Sequence, residues 1–446
     1  MKTWIKDPTA VWTGNDQTAP RGIVVEGNRI IELVTEKPQT NVDDVYDATD
    51  QVLLPGLINC HHHFYQTLTR AFPDALDKEL FEWLVSLYPI WANLNEDAIR
   101  ASTTTALCEL LLSGCTTTTD HHYVFSESTG QAIDVQADVA KQLGIRAILT
   151  RGSMSLGKSS GGLPPDKVVQ SPDEILRDSE RLISSYHDDS EDAMLQIALA
   201  PCSPFSVTTE LMKDSAELAR KHGVQLHTHL AETLDENEFC LEMFGMRPVD
   251  YLEDVGWLAD DVWLAHGIHF NDDEIQRLGK AGVAVSHCPS SNMILASGSC
   301  PVPALGAAGS PVGLGVDGSA SNDCSNMMQE LRQAFLLQRL AHGASAFSHH
   351  DALRVATQGG AQLFKRSAIG ELAAGKLADV ALFDLNELRF SGAGDPIAGL
   401  VLCGAYQASA VMVNGQWRVR DSALVDVDLE RVRATHISAA HKLWDA

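Results

Sequence analysis

The sequence predicts an α/β protein: a (β/α)8 TIM barrel with a small discontinuous β-sandwich built from both chain ends. Three observations predict it. Eight short apolar runs alternate with amphipathic stretches through the middle of the chain, hairpin-like β texture is confined to the two ends, and histidine-rich polar residues gather where the apolar runs stop.

In chain order, GIVVEGNRIIELV (22–34) comes first, two β-rich runs around Gly27-Asn28 that read as a hairpin. The central runs are VLLPGLINC (52–60), CTTTTD (115–120), IRAILT (145–150), LQIALAP (195–201), VQLHTHL (224–230), VWLAHGI (262–268), VAVSHCP (283–289) and VGLGVD (312–317). Helical candidates at 96–113, 131–143, 173–186, 208–222, 247–255 and 272–281 separate them. Continuous apolar strands between helices are parallel strands covered on both faces. Eight such units close a barrel rather than extend an open sheet. GKLADVALFDL (375–385) then reads as a strand, and SAVMVNGQWRVRDSALV (409–425) as a hairpin turning at Asn414-Gly415. The expected division is 1–57 for the first part of the sandwich and 58–366 for the barrel. Residues 367–446 supply the second part with a C-terminal helix.

With 446 residues, 45% hydrophobic and 21% charged, the composition is globular and excludes a disordered or fibrous chain. The formal charge of −26 opposes phosphate backbones and anionic lipid, so neither nucleic acid nor a membrane surface is an expected partner. It favours a neutral or cationic small molecule. The opening MKTWIKDPTA lacks a signal-peptide core and no apolar run reaches membrane-spanning length, so a cytoplasmic protein is expected. The nine cysteines form no CxxC pair, which indicates neither a thiolate zinc site nor a disulfide framework.

Barrel enzymes build their sites where the strands end. Those ends carry His61 and His63 at the first run, His229 and Glu232 at the fifth, His266 at the sixth, His287 at the seventh and Asp317 at the eighth. Residues two apart on a strand face the same way, so His61 and His63 point together and His62 points away. Three imidazoles and a carboxylate suit one divalent ion with room for water, zinc or iron(II). The competing reading makes each histidine a satisfied core residue, which several strand ends at one mouth speak against. GLGVDG (313–318) matches GxGxxG, but no helix is expected to begin inside it, as dinucleotide binding would require. Of His121-His122 after the second run, at most one points inward, in a supporting role.

PGLINCHHH resembles the PGhhDxHxH signature of the amidohydrolase superfamily. HTHLAET, LAHGIHF, VSHCPSSNM and GVDGSASND follow in the order and strand positions of its cytosine and guanine deaminase-like branch. The resemblance covers essentially the whole chain. It implies His61, His63, His229 and Asp317 as metal ligands, with His229 rather than His227 three residues before the glutamate. Glu232 is implied as the proton shuttle, with His266 and Asp317 activating water. Binuclear relatives carry a carboxylated lysine at the end of strand 4. LQIALAPCS has none, so one metal is expected.

APCSPFSV, HHHFYQTLTR and the EWL of 82–84 further resemble the group acting on 8-oxoguanine and hydroxylated triazines. Cys202 stands where nucleoside deaminases carry a substrate-contacting histidine. Gln66, Trp83, Arg151 and Cys202 are the candidate contacts to a small heterocyclic substrate. The resemblance implies hydrolytic deamination of a purine base, 8-oxoguanine to urate and ammonia, by a homo-oligomer, a dimer. The alternatives are deamination of guanine, isoguanine, a pterin or a hydroxylated s-triazine, and, from another class, a non-catalytic metal-binding scaffold.

Overall fold

The computed structural model describes residues 1–126 and 128–446. Its centre is a closed barrel of eight parallel strands: β1 Leu57–Asn59, β2 Cys115–His122, β3 Arg146–Ser153, β4 Leu195–Pro201, β5 Leu226–Leu230, β6 Val262–His266, β7 Ala284–His287 and β8 Val312–Leu314. Each strand pairs with its sequence neighbours, and β8 closes on β1. The expected helices are present between strands, including Glu96–Leu112, Ala132–Leu143, Pro172–Tyr186, Thr209–His222 and Asp272–Ala281. Side chains alternate across β3. Ile148 joins a cluster with Ile58, Ala198 and Trp263, whereas Ala147 and Leu149 belong to the large core beneath the helices.

The first expected run, 52–60, is two strands rather than one. Gln51–Pro55 joins a terminal sheet and Leu57–Asn59 enters the barrel. Gly56 makes the switch, because a Cβ there would lie 2.1 Å from Thr116 Oγ1 on β2, and only glycine tolerates that approach.

The chain ends form two further sheets. The four-stranded one runs Arg29–Leu33, Gly22–Glu26, Lys2–Lys6, Asp44–Asp47. The six-stranded one takes Ala423–Leu424, Gln416–Arg420, Ala410–Val413 and Val380–Asp384 from the C-terminal part, then Gln51–Pro55 and Ala10–Val11 from the N-terminal part. Ile5, Ile23, Val25 and Ile30 of the first sheet share a core with Leu53, Leu382 and Met412 of the second. The two hairpins turn at Gly27-Asn28 and Asn414-Gly415, as the sequence suggests.

The C-terminal helix, Leu429–Trp444, lies against the barrel. Trp444 Nε1 donates to the Leu68 carbonyl at 2.8 Å, and His436 Nε2 lies 3.0 Å from Thr67 Oγ1. Among the described residues no helix is long and apolar enough to cross a membrane.

Candidate active site

The C-terminal strand ends deliver their polar side chains to one buried point. His61 and His63 follow β1, His229 sits on β5, His266 ends β6 and Asp317 follows β8. Parallel register sets His229 beside Ala265 and Leu230 beside His266. His266 and Asp317 turn inward through left-handed backbone, φ 68° and 62°, a conformation non-glycine residues adopt at a cost that clusters at functional sites. His61 Nε2 and His63 Nε2 lie 3.2 and 3.3 Å from Asp317 Oδ1, and His63 Nε2 lies 3.2 Å from His229 Nε2.

The outer ring nitrogens show what these inner atoms are. His63 Nδ1 lies 2.7 Å from the His121 carbonyl, and His229 Nδ1 lies 2.7 Å from the Cys202 carbonyl. A carbonyl only accepts, so both Nδ1 atoms carry hydrogen and both Nε2 atoms are lone pairs in the neutral rings. Two lone pairs facing each other at 3.2 Å call for a cation between them. His61 Nε2 is likewise buried with no hydrogen-bond partner among the described residues. Zinc–donor bonds of about 2.0–2.1 Å imply donor separations of about 3.0–3.4 Å, which these atoms match. The side chains present therefore fit a divalent metal ion. Burial holds the pKa values of His61, His63 and His229 below the ordinary histidine range, keeping them unprotonated and able to ligate.

Two further groups face the donors. Glu232 Oε2 lies 3.5 Å from His266 Nε2, which lies 3.9 Å from Asp317 Oδ2. Burial pushes the Glu232 carboxyl up to about 7, opposed by His266 and reinforced by the Asp317 charge. Burial alone would lower His266, but the Glu232 and Asp317 carboxylates outweigh it and raise its pKa. For Asp317, burial acts upward, yet the surrounding histidines hold it well below the usual carboxylate range. Glu232 thus tends to keep a proton near neutrality while Asp317 stays ionised.

The pocket over this cluster is walled by Leu80, Trp83 and Leu84 of the helix Leu80–Trp91, with Phe205 and Leu295. Trp83 is fixed by its Nε1, which donates to the Ala320 carbonyl at 3.0 Å. Gln66, Tyr88, Tyr123, Cys202 and Ser321 add polar atoms. Gln66 Oε1 and Tyr88 Oη are buried without hydrogen-bond partners among the described residues. Gly318 leaves room for Gln66, since a Cβ there would lie 1.8 Å from Gln66 Oε1.

Of the four candidate contacts, Gln66, Trp83 and Cys202 line the pocket and Arg151 does not. Arg151 lies on the helix-facing side of β3 with Ala147 and Leu149. It is paired there with Asp178 at 2.7 Å and Gln170 at 2.8 Å, and stacked over Phe125. His287 is also elsewhere, near Gln338 at 3.2 Å, and His62 contacts Ser325 at 2.9 Å. His121 packs on the His229 ring, and its Nε2 lies 2.9 Å from the Ala200 carbonyl. No helix begins inside 313–318; the helix after β8 starts at Met327.

Sequence reasoning missed Tyr88, Tyr123, Ser321, Asn292 and Glu236. Asn292 Oδ1 lies 2.9 Å from His266 Nδ1. Glu236 accepts from the backbone N–H of Ala231 at 2.8 Å and of Glu232 at 3.0 Å, anchoring the loop that aims Glu232. Its signal was available: Thr233 and Glu236 have capping-box spacing at a helix start.

The profile of the amidohydrolase family matches residues 52–418, which include every one of these donors. The chain belongs to the amidohydrolase family. Among amidohydrolase relatives, it is 58% identical to 8-oxoguanine deaminase of Pseudomonas aeruginosa, over 99% of each chain. It is 40% identical to hydroxydechloroatrazine ethylaminohydrolase of Pseudomonas sp. strain ADP, over 84% of this chain and 81% of that one. The fold superposes on the crystal structure of zinc-complexed atrazine chlorohydrolase from Arthrobacter aurescens TC1. The TM-score is 0.92, with 33% identity, covering 98% of this chain and 100% of the other. The family and its deaminase-named relatives make this chain a hydrolase acting on C–N bonds.

Proposed function

We propose that this amidohydrolase deaminates 8-oxoguanine hydrolytically, giving urate and ammonia, with one zinc ion held by His61, His63, His229 and Asp317. The chemistry rests on the protonatable Glu232 facing His266 and Asp317 across the four-donor cluster. The likeness to 8-oxoguanine deaminase over nearly the whole chain supports the substrate.

His61, His63, His229 and Asp317 would hold a divalent ion, whose Lewis acidity would bring the pKa of water at the site toward about 7. His266 and Asp317 take up the proton that the attacking water loses. Glu232 donates its proton to the ring nitrogen next to the amino-bearing carbon, which makes that carbon electrophilic. Once the C–O bond has formed, His266 and Asp317 pass the water's proton to the amine, the C–N bond breaks and ammonia leaves, while the new hydroxyl gives its proton to Glu232 as it becomes the carbonyl. Steps of this kind are worth about 10²–10⁴-fold each.

The apolar walls suit a flat neutral ring, and Gln66 Oε1 and Tyr88 Oη, without partners among the described residues, suit its N–H and C=O groups. 8-Oxoguanine bears N–H at both N7 and N9, one donor more than guanine, and Gln66 Oε1 can accept from such a group. Cys202 borders the same space. All nine cysteines are free, which fits a cytoplasmic enzyme, and a homodimer is the expected assembly.

The direct test is urate and ammonia formation from 8-oxoguanine by zinc-replete protein. Turnover should vanish on chelation and return with metal. Equal turnover before and after complete metal removal would contradict the assignment.

A further inference from the structure

His61 differs from the other donors in its outer partner. His63 and His229 place Nδ1 on backbone carbonyls, whereas His61 Nδ1 meets a second imidazole, His227 Nε2, at 2.8 Å. Such a pair is ambiguous alone, because either ring can hold the shared proton. The far side of His227 removes the ambiguity. Its Nδ1 lies 2.8 Å from the Trp263 carbonyl oxygen, which only accepts. His227 Nδ1 therefore carries a hydrogen, its Nε2 is a bare acceptor in the neutral ring, and His61 Nδ1 must be the donor. That leaves the lone pair on His61 Nε2, a buried atom with no hydrogen-bond partner among the described residues, 3.2 Å from Asp317 Oδ1.

The chain is rigidly held. The His227 ring stacks on the Trp263 indole with centroids 4.4 Å apart and planes 10° apart. Trp263 Nε1 donates to the Cys60 carbonyl at 3.2 Å, one residue before His61. His227 is fully buried and is absent from the pocket lining, so it touches neither substrate nor reacting atoms.

Resting on the reading that these donors hold a divalent ion, we infer that His227 is a positioning residue. It fixes His61 in the Nδ1–H tautomer and thereby sets the affinity of the metal site. Partners of this kind are worth about 10–100-fold in metal affinity.

Zinc affinity, measured by competition with a chelator, separates this role from simple packing. His227→Leu removes the acceptor and should weaken zinc binding about 10–100-fold, with KM for 8-oxoguanine unchanged once zinc saturates the site. His227→Gln can accept from His61 and donate to Trp263, so its zinc affinity should return to within about threefold of wild type. A folded His227→Leu protein with wild-type zinc affinity overturns the inference, as does a glutamine variant no tighter than leucine. Wild-type protein that takes up no zinc overturns the metal-site reading and this inference with it. Should a variant fail to fold, ring ¹⁵N shifts of zinc-loaded wild type give an independent answer. They should show hydrogen on Nδ1 of both His61 and His227; hydrogen on His227 Nε2 contradicts the assignment.

Discussion

Two buried polar clusters sit at opposite ends of this barrel and are built on opposite rules. At the strand starts, Arg146 Nε and Nη2 meet Asp379 Oδ2 and Oδ1 at 3.0 and 3.2 Å, and Nη1 donates to the Asp192 carbonyl at 3.0 Å and to that of Ala193. Asp379 also accepts from the Asn414 N–H at 2.6 Å, so this pair ties barrel and terminal sheet together with its bonds made. At the strand ends, His61 Nε2, Gln66 Oε1 and Tyr88 Oη have no partner among the described residues. Ala231, His266 and Asp317 there hold left-handed backbone. A satisfied buried cluster is structural. One left with converging lone pairs and backbone strain is shaped for a guest.

Breaking each cluster should therefore do different things. The largest effect is expected from Glu232→Gln: turnover should fall by about 10²–10⁴-fold or more while zinc content, read by elemental analysis, stays at the wild-type level. Near-normal turnover would remove Glu232 from the mechanism. Arg146→Met leaves the Asp379 carboxylate buried and unpaired, which should cost about 3–5 kcal/mol in urea unfolding. Activity per folded molecule should hold, and a parallel loss of kcat would show the two ends to be coupled.

Gln66→Ala should raise KM for 8-oxoguanine about tenfold, the worth of one good hydrogen bond. Arg151→Met should leave KM unchanged in the same assay, because its guanidinium is spent on Asp178 outside the pocket.

The smallest effect concerns pH. Burial pushes the Glu330 carboxyl up to about 8 and that of Asp120 up to about 7. Folded pKa values raised above the unfolded ones add stability that is full below about pH 4 and is lost as pH rises through the folded values. These two carboxyls should accordingly lower the melting temperature as pH rises from about 4 to about 8 and no further, and less steeply in Glu330→Gln, as calorimetry can check.

The site's scaffold was legible because strands have period two and barrels gather their strand ends. HxH after β1, His229 on β5, His266 and Asp317 converge as that rule expects, whereas His287, also at a strand end, lies beside Gln338 instead, and the choice of His229 over His227 came from the family resemblance. The same alternation could have excluded Arg151, which shares its side of β3 with Leu149. The pocket walls were not legible. Leu80, Tyr88, Phe205 and Leu295 lie on segments after the strands, whose paths are set by packing against one another rather than by local pattern. The split of 52–60 turned on the approach of Gly56 to Thr116, which one strand's sequence does not display. His227 was in view, two residues from His229 and on the same side, but its role depends on a carbonyl of the neighbouring strand.

On this reading the arrangement deaminates 8-oxoguanine in preference to its neighbours in chemistry. Ammonia release by zinc-replete protein, compared as kcat/KM across 8-oxoguanine, guanine, isoguanine, a pterin and a hydroxylated aminotriazine, tests it most directly. The highest value is expected for 8-oxoguanine. Ammonia from the triazine or guanine with none from 8-oxoguanine, or from no substrate with zinc bound, would contradict it.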